Sequence, residues 1–119
     1  MSKGFLALVL HAHLPFVRHP EHADMMEERW LFEGITETYL PLLEVFEGLV
    51  RDGIDFRVTL SLTPPLIAML NDGLLQERYA QHLGRLIELS EKELIRTRFE
   101  PEYQRSAQMY FDKFQRARH

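Results

Sequence analysis

Apolar side chains fill every position from Phe5 to Leu10, and the run closes at Pro15 after two histidines one residue apart, His11 and His13. An unbroken apolar run stopped by proline predicts a strand buried on both faces, as in a parallel sheet covered by helices. The pattern changes between Glu27 and Arg51. There Leu31, Ile35, Tyr39, Leu42, Phe46 and Leu49 recur at steps of three and four, the spacing of one helical face. Pro41 interrupts it, either kinking one helix or opening a second that ends before Gly53, a residue suited to a left-handed cap. From Ile54 to Leu62 the period becomes two, with Phe56, Val58, Leu60 and Leu62 alternating against Arg57, Thr59 and Ser61. That alternation predicts a second strand, and strand, helical crossover, strand make a parallel βαβ unit.

The second strand runs into Thr63-Pro64-Pro65, where Thr63 can cap and proline can occupy the first turn of a short helix over Leu66 to Leu70. After the Asn71-Asp72-Gly73 turn the chain is helical. Leu75, Tyr79, Leu83, Leu86 and Ser90 keep the helical period to about Leu94, and Phe99-Glu100-Pro101 breaks it. A final helix places Tyr103, Ala107, Tyr110 and Phe114 on one side, a stripe better suited to packing than to holding a ligand. Two parallel strands do not make a stable sheet by themselves. The pattern therefore predicts the beginning of a larger α/β domain, completed by more chain or by a partner that supplies further strands.

The chemistry gathers at the end of the first strand. Ligands of parallel α/β folds bind outside the carboxyl ends of the strands, and alternation along an extended backbone sends His11 and His13 to the same side. A pair of imidazoles at a substrate-facing rim results. The competing role for them is simple hydrogen bonding to backbone at the sheet rim. The segment that follows, with Leu14-Pro15 and His19-Pro20, reads as a loop, and its His19, Glu21 and His22 suit a solvated loop better than a ligand site. Trp30 sits near that rim as a candidate sugar platform, with core packing as its alternative role.

Composition narrows the classes. The 119 residues are 45% hydrophobic, enough for one domain with a core over residues 1–119. A net charge of -4, without long single-sign runs, gives no electrostatic case for nucleic acid or an anionic membrane. The absence of cysteine excludes disulfides, thiolate metal ligands and covalent cysteine catalysis. Met1-Ser2-Lys3-Gly4 and the apolar run after it lack a signal-peptide cleavage site, and no apolar segment reaches the roughly 20 residues of a bilayer span. A cytoplasmic location is expected.

Several stretches, in order, resemble the N-terminus of glycoside hydrolase family 57, and within it the α-1,4-glucan branching enzymes. They are His11-Ala12-His13-Leu14-Pro15, Glu28-Arg29-Trp30-Leu31-Phe32-Glu33, Thr36-Glu37-Thr38-Tyr39-Leu40-Pro41-Leu42-Leu43, Thr59-Leu60-Ser61-Leu62-Thr63-Pro64-Pro65-Leu66 and Leu75-Gln76-Glu77-Arg78-Tyr79, with Met109-Tyr110 near the end. The resemblance implies an α/β fold, the N-terminal portion of an incomplete (β/α)7 barrel with two parallel strands, crossover helices and a helical tail. It implies an α-glucan substrate such as amylose or glycogen, no cofactor and no metal. It places His13 in the family's first signature region, lining the subsite of the scissile sugar, with His11 beside it. The family's glutamate nucleophile and aspartate acid/base lie on later strands, and neither signature occurs before His119. Retaining glycoside chemistry needs two carboxyl groups about 5 Å apart. The 119-residue chain is therefore expected to be inactive alone and to associate with the remaining barrel, or with itself, through exposed apolar surface.

Two other classes compete. His-x-His at a first barrel strand also begins the metal site of amidohydrolase-type barrels; stoichiometric zinc lost in His11→Ala would mark that class. A non-catalytic remnant that binds glucan or a protein partner is the third.

Overall fold

The computed structural model describes residues 3–119; Met1 and Ser2, and the N-terminal reading that begins with them, lie outside the described residues. Two compact units divide the chain, one running to Asp72 and the other spanning Gly73–His119. The first holds both strands. β1 is Val9–Ala12 and β2 is Thr59–Leu62. They pair in parallel with Val9 opposite Thr59, Leu10 opposite Leu60, His11 opposite Ser61 and Ala12 opposite Leu62. The connection between them is helical, as the change of period predicts.

The crossover contains α1 (Met26–Gly34), a π-helical turn (Ile35–Tyr39) and α2 (Leu40–Arg51). Pro41 explains the π turn. With no N–H and a ring that would press on the carbonyl four residues back, proline cannot continue a regular ladder. The backbone widens just before it, and the Leu40 N–H donates to Ile35 O, five residues back. The helix passes through the proline without breaking. α2 then stops as its sequence dictates: Gly53 adopts φ +67°, Ile54 N–H donates to Leu49 O at 2.9 Å, and Gly53 N–H to Val50 O at 3.1 Å. This pair of bonds is a Schellman motif, and the left-handed residue that closes it is the expected glycine.

Two expectations for the strands need correction. The strand anticipated over Ile54–Leu62 is regular only from Thr59, because residues before it have no strand partner; Phe56 instead stacks on Phe46 of α2 at 5.3 Å. The first strand, expected to be buried on both faces, is open: Val9 is 65% and Leu10 38% exposed. Each strand has a single neighbour among the described residues, and sheet apolar surface stays uncovered until a second layer or further strands lie on it. The core of this unit lies elsewhere. Val17, Leu31 and Phe32, with Leu66 and Met69 of α3 (Pro64–Leu70), are buried.

Gly73–His119 is a pair of helices, α4 (Gly73–Arg96) and α5 (Pro101–Ala117). Leu83, Ile87 and Ser90 are buried along α4, and the stripe of Tyr103, Ala107, Tyr110 and Phe114 on α5 lines an apolar groove with Leu86 and Leu89. Thr97 marks the corner between them. Its buried hydroxyl donates to Glu93 O at 2.6 Å and lies 3.0 Å from Gln104 Oε1, which ties the last turn of α4 to α5. No helix among the described residues is long and apolar enough to cross a membrane.

Candidate functional site

β1 delivers the two histidines as alternation requires. Their rings stand parallel, with centroids 6.0 Å apart and an angle of 10° between planes. His11 lies opposite Ser61 in the register, and its Nδ1 is 3.1 Å from Ser61 Oγ. Because register partners share a face, Val9, His11 and His13 line up beside Thr59 and Ser61 on one side of the two-stranded sheet. Leu10, Ala12, Leu14, Leu60 and Leu62 take the other side. That second side faces the crossover, since Leu14 Cδ1 comes within 3.7 Å of where a Cβ on Gly34 would stand. The face carrying the imidazoles is exposed.

A cleft of about 590 Å³ lies between the leucine-bearing side of the sheet and the crossover; Leu10, Ala12, Leu14, Leu42 and Leu60 line it, together with His11, His13, Glu37, Thr38 and Tyr39. The π turn supplies the last three of these. Partial burial pushes the Tyr39 phenol above its ordinary value, because the phenolate is the form that loses hydration. Trp30 does not line this cleft; it stands on α1, 46% exposed. Among the described residues no cluster of three histidine, aspartate or glutamate side chains is arranged to hold a metal ion.

The loop that leaves the site is held at three consecutive residues, each by a different partner. Val17 N–H donates to Met69 Sδ at 3.2 Å. Arg18 Nε donates to Asp72 Oδ2 at 2.7 Å, and the His19 N–H donates to Glu28 Oε1 at 3.0 Å. Glu28 is 1% exposed, so a carboxylate in the first turn of α1 is spent on the loop rather than on solvent. Beyond the clamp, His19 and Glu21 meet at 3.3 Å on the surface. A backbone hydrogen bond at Glu21 itself, followed by the His19 side chain, holds the Glu21 carboxyl below its usual range. Thr63 occupies the capping position before α3, yet its hydroxyl makes no capping bond and has no hydrogen-bond partner. Pro65, at the second helical position, removes one of the two N–H groups that a cap would serve.

Sequence reasoning found the histidine pair and missed Ser61 and Glu28. The alternation that put Ser61 among the polar positions of the second strand was visible. The register that sets it against His11 was not, because register is a tertiary property.

Comparison with known proteins gives the arrangement a lineage. Residues 7–116 match the model of glycosyl hydrolase family 57. The chain belongs to that family. A 1,4-alpha-glucan branching enzyme of Thermococcus kodakarensis is 38% identical over 92 residues, which cover 77% of this chain and 14% of the relative. A probable 1,4-alpha-glucan branching enzyme of Mycobacterium tuberculosis is 39% identical over 69 residues, 58% of this chain and 13% of the relative. Among solved structures, the novel alpha-amylase AmyC from Thermotoga maritima superposes with a TM-score of 0.86 at 49% identity, over 93% of this chain and 21% of that one. The chain thus spans about one seventh of the curated branching enzymes it matches.

Proposed function

We propose that this family 57 chain is the first βαβ portion of an incomplete (β/α)7 barrel that processes α-1,4-glucans, of the branching-enzyme type. One observation supports it above the rest: two parallel imidazoles, His11 within the first strand and His13 just beyond it, stand on its exposed face at the carboxyl end, where a barrel of this kind receives its substrate. In this reading His13 hydrogen-bonds a hydroxyl of the sugar at the bond being broken, with His11 beside it. Such bonds strengthen as positive charge develops at the anomeric carbon, so they act on turnover more than on affinity. Trp30 is a platform for a more distant sugar ring. The nucleophile and the acid/base belong to barrel strands other than the two described, which end at Ala12 and Leu62 and carry no paired carboxylates.

The apolar positions exposed on β1 and β2 then have a purpose. They are the surface on which the rest of the barrel lies, whether it comes from the same polypeptide or from a partner. The test is a branching assay on the purified 119-residue chain, followed through the iodine staining of amylose. Staining is expected to remain at the blank level. A fall in staining above the blank would overturn the claim that both catalytic carboxylates lie outside this sequence.

A further inference from the structure

The pairing of His11 with Ser61 decides what a sugar would meet at this site. Ser61 is the direct cross-strand neighbour of His11, and its hydroxyl oxygen lies 3.1 Å from His11 Nδ1. A hydroxyl has one proton to give and an imidazole in its neutral form has one nitrogen able to accept it. We propose that Ser61 is a positioning residue: its hydroxyl donates to His11 Nδ1 and so fixes the proton of the neutral ring on Nε2. This assignment rests on the glucan reading above only for its consequence, not for its geometry.

The physical case has three parts. Nδ1 is turned toward β2, so Nε2 lies on the side of the ring away from Ser61. A proton held there makes His11 a hydrogen-bond donor facing outward, suited to a sugar hydroxyl or ring oxygen, and not an acceptor. The His13 ring stands parallel at a centroid distance of 6.0 Å, and the serine bond turns the His11 ring to one orientation. Ser61 is held by the backbone of a paired strand, which is a more rigid support than a loop would provide. In enzymes generally, the partner of one imidazole nitrogen sets the role of the other.

The test uses the full chain labelled with 15N-histidine. Long-range 1H–15N correlation, at a pH where the rings are neutral, reads which nitrogen carries the proton. Wild type is expected to show His11 as a single Nε2–H tautomer. Ser61→Ala is expected to give a mixture of the two tautomers at His11, with the amide spectrum elsewhere unchanged. Ser61→Thr keeps a hydroxyl on a residue favoured in strands and is expected to restore the single tautomer. A His11 tautomer that is mixed in wild type, protonated on Nδ1, or identical in wild type and Ser61→Ala would overturn the proposal. No glucan is present in this measurement, so its failure is distinct from a failure of the glucan reading, which is decided by kinetics.

Discussion

The clamp on the rim loop makes the most exacting prediction, because it is local and its magnitude can be worked out. Glu28 is almost fully buried and accepts the His19 N–H at 3.0 Å from a carboxylate oxygen. A hydrogen bond to a charged group contributes roughly 1.5–3 kcal/mol, and truncating the acceptor also leaves a partly buried N–H unsatisfied. Glu28→Ala removes both the bond and the carboxylate. The His19 amide exchanges by local opening of the loop, so its protection falls directly with that energy. At about 1.4 kcal/mol per factor of ten, exchange should accelerate roughly tenfold to a hundredfold. Glu28→Gln keeps an oxygen acceptor and loses only the charge, so its acceleration should be smaller. The assay is amide hydrogen exchange followed residue by residue, with amides in α5 as an internal control that should not move. A His19 amide that exchanges at the wild-type rate in Glu28→Ala would refute the view that this carboxylate holds the loop leaving the histidine pair.

Other substitutions test the local physics. Met69→Ala deletes a buried side chain and the sulfur that accepts the Val17 N–H, and should cost about 2–5 kcal/mol of unfolding free energy by urea denaturation. Gly53→Ala forces a Cβ into φ +67° with open space around it, so the loss is backbone strain alone, about 1–2 kcal/mol by the same method. Thr97→Val removes the hydroxyl at the corner of α4 and α5 and should lower stability by about 1–3 kcal/mol. The hydrogen bond from Arg96 holds the Glu93 carboxyl below the usual carboxylate range. A lowered carboxyl contributes stability that is present above its unfolded value and lost as pH falls through its folded one. Wild type and Glu93→Gln should therefore differ slightly in melting temperature at neutral pH and converge as the pH falls through the lowered Glu93 value, a small effect because the pair is exposed.

The elements most readily read from the sequence were those whose signal is local. Periods of two and of three to four residues placed both strands and every long helix, and Gly53 and Pro101 marked ends that depend on one residue's backbone freedom. What depended on neighbours was harder. The apolar run of the first strand describes the environment it is built to enter, a sheet with covered faces, and so it overstated burial in a two-stranded sheet with a bare face. Pro41 announced a disturbance, but whether the helix would break or widen into a π turn depends on packing along the whole crossover. The histidine pair was legible because alternation is a covalent consequence of extended backbone. Ser61 and Glu28 were not, since one acts through strand register and the other through a loop that folds back from nine residues away in sequence, against His19.

The central claim is that the imidazoles of β1 meet the reacting sugar. Its most direct test replaces the matching part of the Thermotoga maritima alpha-amylase with this chain, which is 49% identical to it, and compares the hybrid with its His13→Ala variant on amylose. The account predicts that kcat falls roughly a hundredfold while KM stays nearly constant, the pattern of a hydrogen bond made chiefly in the transition state. An unchanged kcat, or a loss confined to KM, would contradict it.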